Sequence, residues 1–214
     1  MRYSLAVFDF DGTLVDSEAC IRQSLDCALD EHGLPSLPIR KDWIGQPLDL
    51  IIRSACASID EAGVASVISA YRTHYAALDG GLTFPFAGVV ETLHELAAAG
   101  VALAIGTNKH STPARATLER LGIAPLFPVI VGAESVAHPK PHPDILLRVL
   151  ELTGAGAAEA LMIGDAGVDL QMAARDGVAS CAVTWGNHSR EQLAAHQPTY
   201  VIDSPAALPR LIAG

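Results

Sequence analysis

The feature that most narrows the fold is a rhythm beginning near Val89, where short apolar runs alternate with helix-length amphipathic segments. Val89 to Ala99 spaces like a helix closed by Gly100, and Val101-Ala102-Leu103-Ala104-Ile105 follows as a strand. Ser111 or Thr112 suits the cap of the next helix, Pro113 its first turn, and Gly122 its end. Val129-Ile130-Val131 reads as a strand, and Pro143 opens a helix running through Ile145, Leu146, Val149 and Leu150 to Gly154. Leu161-Met162-Ile163 is a strand, Asp169 to Arg175 a helix, and Ala179 to Thr184 the last clear strand. An earlier apolar run, Leu5-Ala6-Val7-Phe8, stops abruptly at Asp9-Phe10-Asp11-Gly12-Thr13, as a buried strand entering a turn does. Strands alternating with helices predict a mainly parallel sheet covered on both faces.

From about Asp16 to Gly81 the pattern changes. Ile21, Leu25, Ala28 and Leu29 share one helical face, as do Leu48, Ile51, Ile52 and Ala55, while Asp79-Gly80-Gly81 reads as a flexible stop. This stretch interrupts the βα rhythm after its first strand and is best placed as an insertion. The expectation is an α/β fold: a Rossmann-like, doubly wound parallel-sheet core from residues 1–15 plus 83–214, with an inserted all-helical cap over residues 16–82.

The 214 residues suffice for a well-buried core. Cys20, Cys27, Cys56 and Cys181 lie far apart without a CxxC pair, which points to reduced core residues rather than disulfides or zinc. The N-terminus lacks the pattern of a signal peptide and no apolar run reaches bilayer length, so a soluble cytoplasmic protein is expected. A net charge of −10 with no Lys/Arg run argues against nucleic acid or an anionic membrane as partner.

In open α/β sheets ligands bind beyond the carboxyl ends of the strands. The residues that follow the strands here are Asp9, Asp11 and Thr13; then Thr107, Asn108 and Lys109; then Lys140 within His138-Pro139-Lys140-Pro141; then Asp165 and Asp169. Asp9 and Asp11, two apart in near-extended backbone, can face the same way. One carboxylate can attack phosphorus, and a neighbouring carboxyl can protonate the leaving alkoxide and later deprotonate water. Asp165 suits direct ligation of a metal beside Asp9, whereas Asp169 can act through water, orient another group or cap a helix. The prolines flanking Lys140 are expected to hold its surroundings extended and place a point charge near phosphate. The Thr107 hydroxyl and Asn108 amide can bind phosphate oxygens; Lys109 reads as solvated. Four carboxylates facing one lysine would repel a phosphate dianion, so a bound Mg²⁺ is needed to reverse the local field.

Asp9-Phe10-Asp11-Gly12-Thr13-Leu14-Val15-Asp16-Ser17, Thr107-Asn108, Lys140-Pro141, and Gly164-Asp165 with Asp169 resemble, in order, the four motifs of haloacid dehalogenase-like hydrolases. The resemblance spans nearly the whole chain, and the insertion is similar to the cap of the subgroup containing phosphoglycolate phosphatases and β-phosphoglucomutases. It implies Asp9 as nucleophile, Asp11 as acid/base and metal ligand through its backbone carbonyl, Thr107 and Lys140 as phosphoryl binders, and Asp165 as metal ligand. Dehalogenases and phosphonatases of the superfamily lack the second aspartate, which this chain keeps as Asp11.

Within the insertion, Trp43-Ile44-Gly45-Gln46-Pro47 resembles a substrate-facing cap loop in which Gly45 lets backbone approach a ligand. Arg22, Arg40, Lys41, Arg53 and Arg72 are the cap cations available to an anionic leaving group. The eight histidines show no metal-ligand spacing, and Trp185-Gly186-Asn187 reads as packing or a loop at the site edge. The expected activity is Mg²⁺-dependent hydrolysis of a small phosphomonoester, phosphoglycolate foremost, through an aspartyl-phosphate. A phosphomutase like β-phosphoglucomutase is the alternative, although the basic residue such mutases carry after the loop glycine is absent at Gln46-Pro47-Leu48. A pyrophosphatase and a non-catalytic phosphometabolite-binding module are further alternatives.

Overall fold

The computed structural model describes residues 1–36, 39–56 and 59–214. Leu5–Phe8 forms β1 and Val15–Asp16 forms β2. Among the described residues three α-helices follow: α1 (Glu18–Glu31), α2 (Leu48–Ala55) and α3 (Glu61–Leu82). Phe84–Pro85, β3, then pairs antiparallel with β2, so the helical excursion leaves and returns through a two-stranded ribbon. The remainder is α4 (Val89–Ala98), β4 (Ala102–Gly106), α5 (Ser111–Arg120), β5 (Val129–Val131) and α6 (Asp144–Thr153). It continues with β6 (Ala160–Gly164), α7 (Gly167–Arg175), β7 (Ala179–Val183), α8 (Arg190–Ala194), β8 (Tyr200–Ile202) and α9 (Leu208–Ala213).

The six-stranded sheet runs β5-β4-β1-β6-β7-β8 with every pairing parallel. All four residues of β1 are buried, as a central strand with both faces covered requires. Its side chains alternate: Ala6 and Phe8 join one apolar cluster with Leu103, Ile105 and Phe127, while Leu5 and Val7 join another with Met162, Ile145 and Val149. Each fully buried Leu, Ile or Val there stabilises the fold by about 1.5–3 kcal/mol. The chain runs from β1 to β4 on one side and later to β6 on the other, which opens a crevice at the carboxyl end of β1. Phe8 is level with both Ile105 and Ile163, so residues that follow these three strands emerge along one edge.

The inserted helices have their own core of Leu25, Leu29, Ile52, Val64 and Val67. Ile51 and Ile52 are buried as the helical spacing predicts; the side chain of Ala55 lies outside the described ones. Among the described residues no helix is long and apolar enough to cross a membrane.

Four local expectations are corrected. Asp79-Gly80-Gly81 is not a stop, because α3 continues through both glycines to Leu82. Each interior glycine costs about 1 kcal/mol relative to alanine. Opposing this, the buried Asp79 accepts from Thr117 Oγ1 at 3.0 Å and Arg120 Nε at 3.1 Å, and Arg120 also bonds the Thr83 carbonyl. Second, neither Ser111 nor Thr112 caps α5: Ser111 is its first residue, and the Glu134 carboxylate accepts the Ser111 N–H at 2.9 Å, an anion at a helix N-terminus. Third, Lys140 sits in a turn closed by the His142 N–H on the Pro139 carbonyl at 2.9 Å, not in extended chain; the Lys140–Pro141 bond is cis. Finally, β8 adds an edge strand beyond the last one expected.

Candidate active site

The floor of the crevice is an array of buried charge. Asp9 leaves β1, Asp165 leaves β6, Asp169 lies in the first turn of α7, and Lys140 comes from the loop ahead of α6. Lys140 is 1% exposed, and its ammonium donates to Asp9 Oδ1 at 2.8 Å and to Asp169 Oδ1 at 2.6 Å. Asp169 Oδ2 accepts the Ala166 N–H at 3.1 Å, so this residue both caps α7 and anchors the lysine. Asp165 accepts from Thr13 Oγ1 at 2.8 Å and from the Asn187 N–H at 2.8 Å. Oxygens of Asp9, Asp165 and Asp169 all lie within 4.8 Å of one another.

Such crowding shifts the acids. Burial, then the charge of Asp169, raises Asp9 to about 7 against the opposing pull of Lys140. Burial, with Asp9 and Asp169, raises Asp165 to about 8. Burial by itself would lower Lys140, but Asp169 and Asp9 reverse this and hold its pKa above the ordinary lysine value. The cluster therefore carries more negative charge than Lys140 balances. Its donors are carboxylate oxygens without His or Cys, the set a hard divalent cation prefers. The residues fit such an ion.

Asp11 lines the same cavity but faces other partners. Its Oδ1 accepts from Ser17 Oγ at 2.6 Å, and Lys109 Nζ lies 3.2 Å from both of its oxygens. Lys109 is thus not solvated as its sequence position suggested. Its ammonium also sits 3.7 Å from the ring centroid of Tyr75, on α3. Burial would depress this lysine; Asp11 overrides that and raises it.

Thr107 is buried on the cavity wall, its Oγ1 accepting the Lys109 N–H at 3.1 Å. Asn108 is engaged differently from the phosphate contact expected of it. Its Nδ2 donates to the Gly45 carbonyl at 2.8 Å and the Lys140 carbonyl at 3.3 Å, and its Oδ1 accepts the Lys140 N–H at 2.8 Å. The side chain therefore ties the Lys140 turn to the loop of the inserted helices. Gly45, at φ +94°, occupies the left-handed region that glycine tolerates and borders the cavity from that loop. The cavity has a volume of about 600 Å³.

Ser17 and Lys109 join this site, although the sequence pattern assigns Ser17 no role and places Lys109 in solvent. Trp185, whose Nε1 donates to the Thr13 carbonyl at 3.0 Å, and Asn187 come from the expected loop after β7; the signal was their position after a strand. His138 and His142 meet at Asp144 through 3.0 and 2.6 Å contacts, a grouping their spacing did not suggest.

A family model described as haloacid dehalogenase-like hydrolase matches residues 6–183. A protein named "Probable phosphatase IndB" from Dickeya dadantii is 37% identical over 94% of this chain and 89% of its own length. A phosphoglycolate phosphatase from Agrobacterium fabrum is 34% identical over 95% of this chain and 90% of its own. The crystal structure of a predicted phosphoglycolate phosphatase from Haemophilus somnus superposes with a TM-score of 0.90 at 27% identity, covering 99% of this chain and 98% of that one. With that match running from the first strand to the end of β7, the chain belongs to the haloacid dehalogenase-like hydrolases.

Proposed function

We propose that this protein is a cytoplasmic, Mg²⁺-dependent phosphatase that hydrolyses a small phosphomonoester through an aspartyl-phosphate at Asp9. The observation carrying this reading is the meeting of Asp9, Lys140, Asp165 and Asp169, from three chain segments, at one edge of the sheet. Asp9, Asp165 and the backbone carbonyl of Asp11 would hold Mg²⁺, with Asp169 in an outer position, and the ion would neutralise phosphoryl oxygens.

Asp9 attacks phosphorus in line, forming an Asp9 Oδ–P bond as the ester P–O bond breaks. Asp11 gives its proton to the departing alkoxide, so the alcohol leaves neutral. Asp11 then takes a proton from water; the water oxygen attacks phosphorus, the Asp9–phosphorus bond breaks, and inorganic phosphate is released. Lys140 favours the ionised nucleophile and, with the Thr107 hydroxyl, binds the transferring group. Lys109 and Ser17 hold the Asp11 carboxyl in place. The helices of residues 16–82 act as a cap over the core of residues 1–15 and 83–214, excluding water while Asp9 attacks. Gly45 bounds the leaving-group space.

The test is phosphate release with Mg²⁺ over a panel of phosphoglycolate, sugar phosphates, nucleotides and pyrophosphate. Phosphoglycolate is the reference compound because relatives carry its name. Turnover that vanishes in Asp9→Asn, with a stoichiometric phosphate adduct on Asp9 in rapid-quench mass spectra of the parent protein, supports the reading. Full activity of Asp9→Ala would refute the nucleophile.

A further inference from the structure

Four of the five cap cations turn away from the cavity. Arg22 and Lys41 both pair with Glu18 at 2.9 Å, Arg40 with Asp42, and Arg53 with Glu61 at 2.7 Å. None of these four borders the cavity. Arg72 reaches its edge, where its guanidinium lies 2.7 Å from His110 Nε2. Lys109 is held by Asp11, and the buried Lys140 by Asp9 and Asp169. Among the described residues, every Lys or Arg at or beneath this chamber is already engaged by another side chain.

Apart from Arg72, the cap-side walls are largely apolar. Ile44, Leu48, Ile51, Ile68 and Tyr71 come from the cap side, and Ala116 from α5. Asp49 borders the same space and adds negative charge. The volume of about 600 Å³ falls in the range of about 300–1,000 Å³ that encloses drug-sized ligands. A two-carbon leaving group fills little of it. A carboxylate placed against these apolar walls would lose water without gaining a partner there; the cations it could reach are Arg72, beside His110, and Lys109, which it would have to draw off Asp11. An apolar ring would gain from the same walls.

We propose that the leaving group of the natural substrate is an uncharged, largely apolar alcohol with the bulk of an aromatic ring, selected by the Ile44–Leu48–Ile51–Ile68–Tyr71 wall. This assignment rests on the phosphatase reading and specifies the alcohol half of its substrate.

The experiment compares kcat/KM for benzyl phosphate and phosphoglycolate, both esters of primary alcohols, using the full chain with saturating Mg²⁺. Benzyl phosphate is expected to lead by about 10-fold or more, mainly through KM, the scale of apolar-pocket discrimination. Ile68→Lys puts an ammonium on the apolar wall. Ala116→Lys does so from an exposed position where folding is not at stake. Each is expected to lower kcat/KM for benzyl phosphate and raise it for phosphoglycolate, opposite movements that general damage does not produce. Equal or better use of phosphoglycolate by the parent protein overturns the assignment and leaves the phosphatase reading intact. Movement of both substrates in the same direction in Ala116→Lys also overturns it. Absence of phosphate release from benzyl phosphate and from every compound in the panel removes both readings.

Discussion

Replacing Lys140 with methionine keeps a long apolar stem but deletes the ammonium that two buried carboxylates share. Asp9 and Asp169 are 3% and 0% exposed, and their contacts to the lysine measure 2.8 and 2.6 Å. Removing one partner of a buried ion pair costs about 3–5 kcal/mol, because the remaining charge is left without compensation. For a chain of this size that corresponds to a fall in Tm of about 6–20 °C. The loss must also depend on pH. Asp9 already titrates at about 7 with Lys140 lowering it, so its pKa rises further in the variant. An acid whose folded pKa exceeds its unfolded value loses stability as pH climbs from the unfolded value through the folded one. The deficit is therefore smaller near pH 5, where Asp9 holds a proton, and grows toward pH 8. Urea unfolding in chelator at several pH values measures this for the parent, Lys140→Met, Asp169→Asn and the double variant. The double variant is expected to lose less than the sum of the singles by about 0.5–3 kcal/mol. A deficit under about 1 kcal/mol at pH 8, or one that shrinks as pH rises, would refute the compensation argument.

Gly12→Ala should cripple both stability and turnover: Gly12 sits at φ +91°, and a Cβ there collides with the Asp165 carboxylate and the Asn187 amide. A loss of about 1–3 kcal/mol from strain alone is expected in urea unfolding, and a neutral result would mean the turn can rearrange. Lys109→Met should lower kcat by about 10²-fold through loosened Asp11, with little change in metal affinity by calorimetry; unchanged kcat would leave the lysine with packing alone. Mg²⁺ should raise Tm more at pH 8 than at pH 6, since Asp9 and Asp165, at about 7 and 8, must shed protons to receive it; protection that is flat with pH removes them from the ligand set.

Much of this molecule is written in local pattern. The alternation of apolar runs and amphipathic segments foretells the parallel sheet, because strand and helix periods are properties of a few neighbouring residues. Leu5–Phe8 announces a buried strand, and the acids that follow it stand at the carboxyl edge of the sheet. Local pattern failed where a distant partner outweighed it. Gly80 and Gly81 read as a break, yet Thr117 and Arg120 hold Asp79 and the helix runs on. The short run Tyr200-Val201-Ile202 becomes a strand by pairing with β7.

Within the site, the sequence by itself determined which groups stand at strand ends: Asp9, Thr107, Asp165 and, beside a helix start, Asp169. Only the tertiary structure decided how each is engaged. Lys109 became a buried partner of Asp11 because α3 lays Tyr75 over it, and Asn108 became a tie between Gly45 and Lys140. The physical reason is that burial and charge compensation depend on groups brought within a few ångströms from distant parts of the chain. Lys140 and Asp9 lie 131 positions apart in sequence but 2.8 Å apart in space, and no local window contains both.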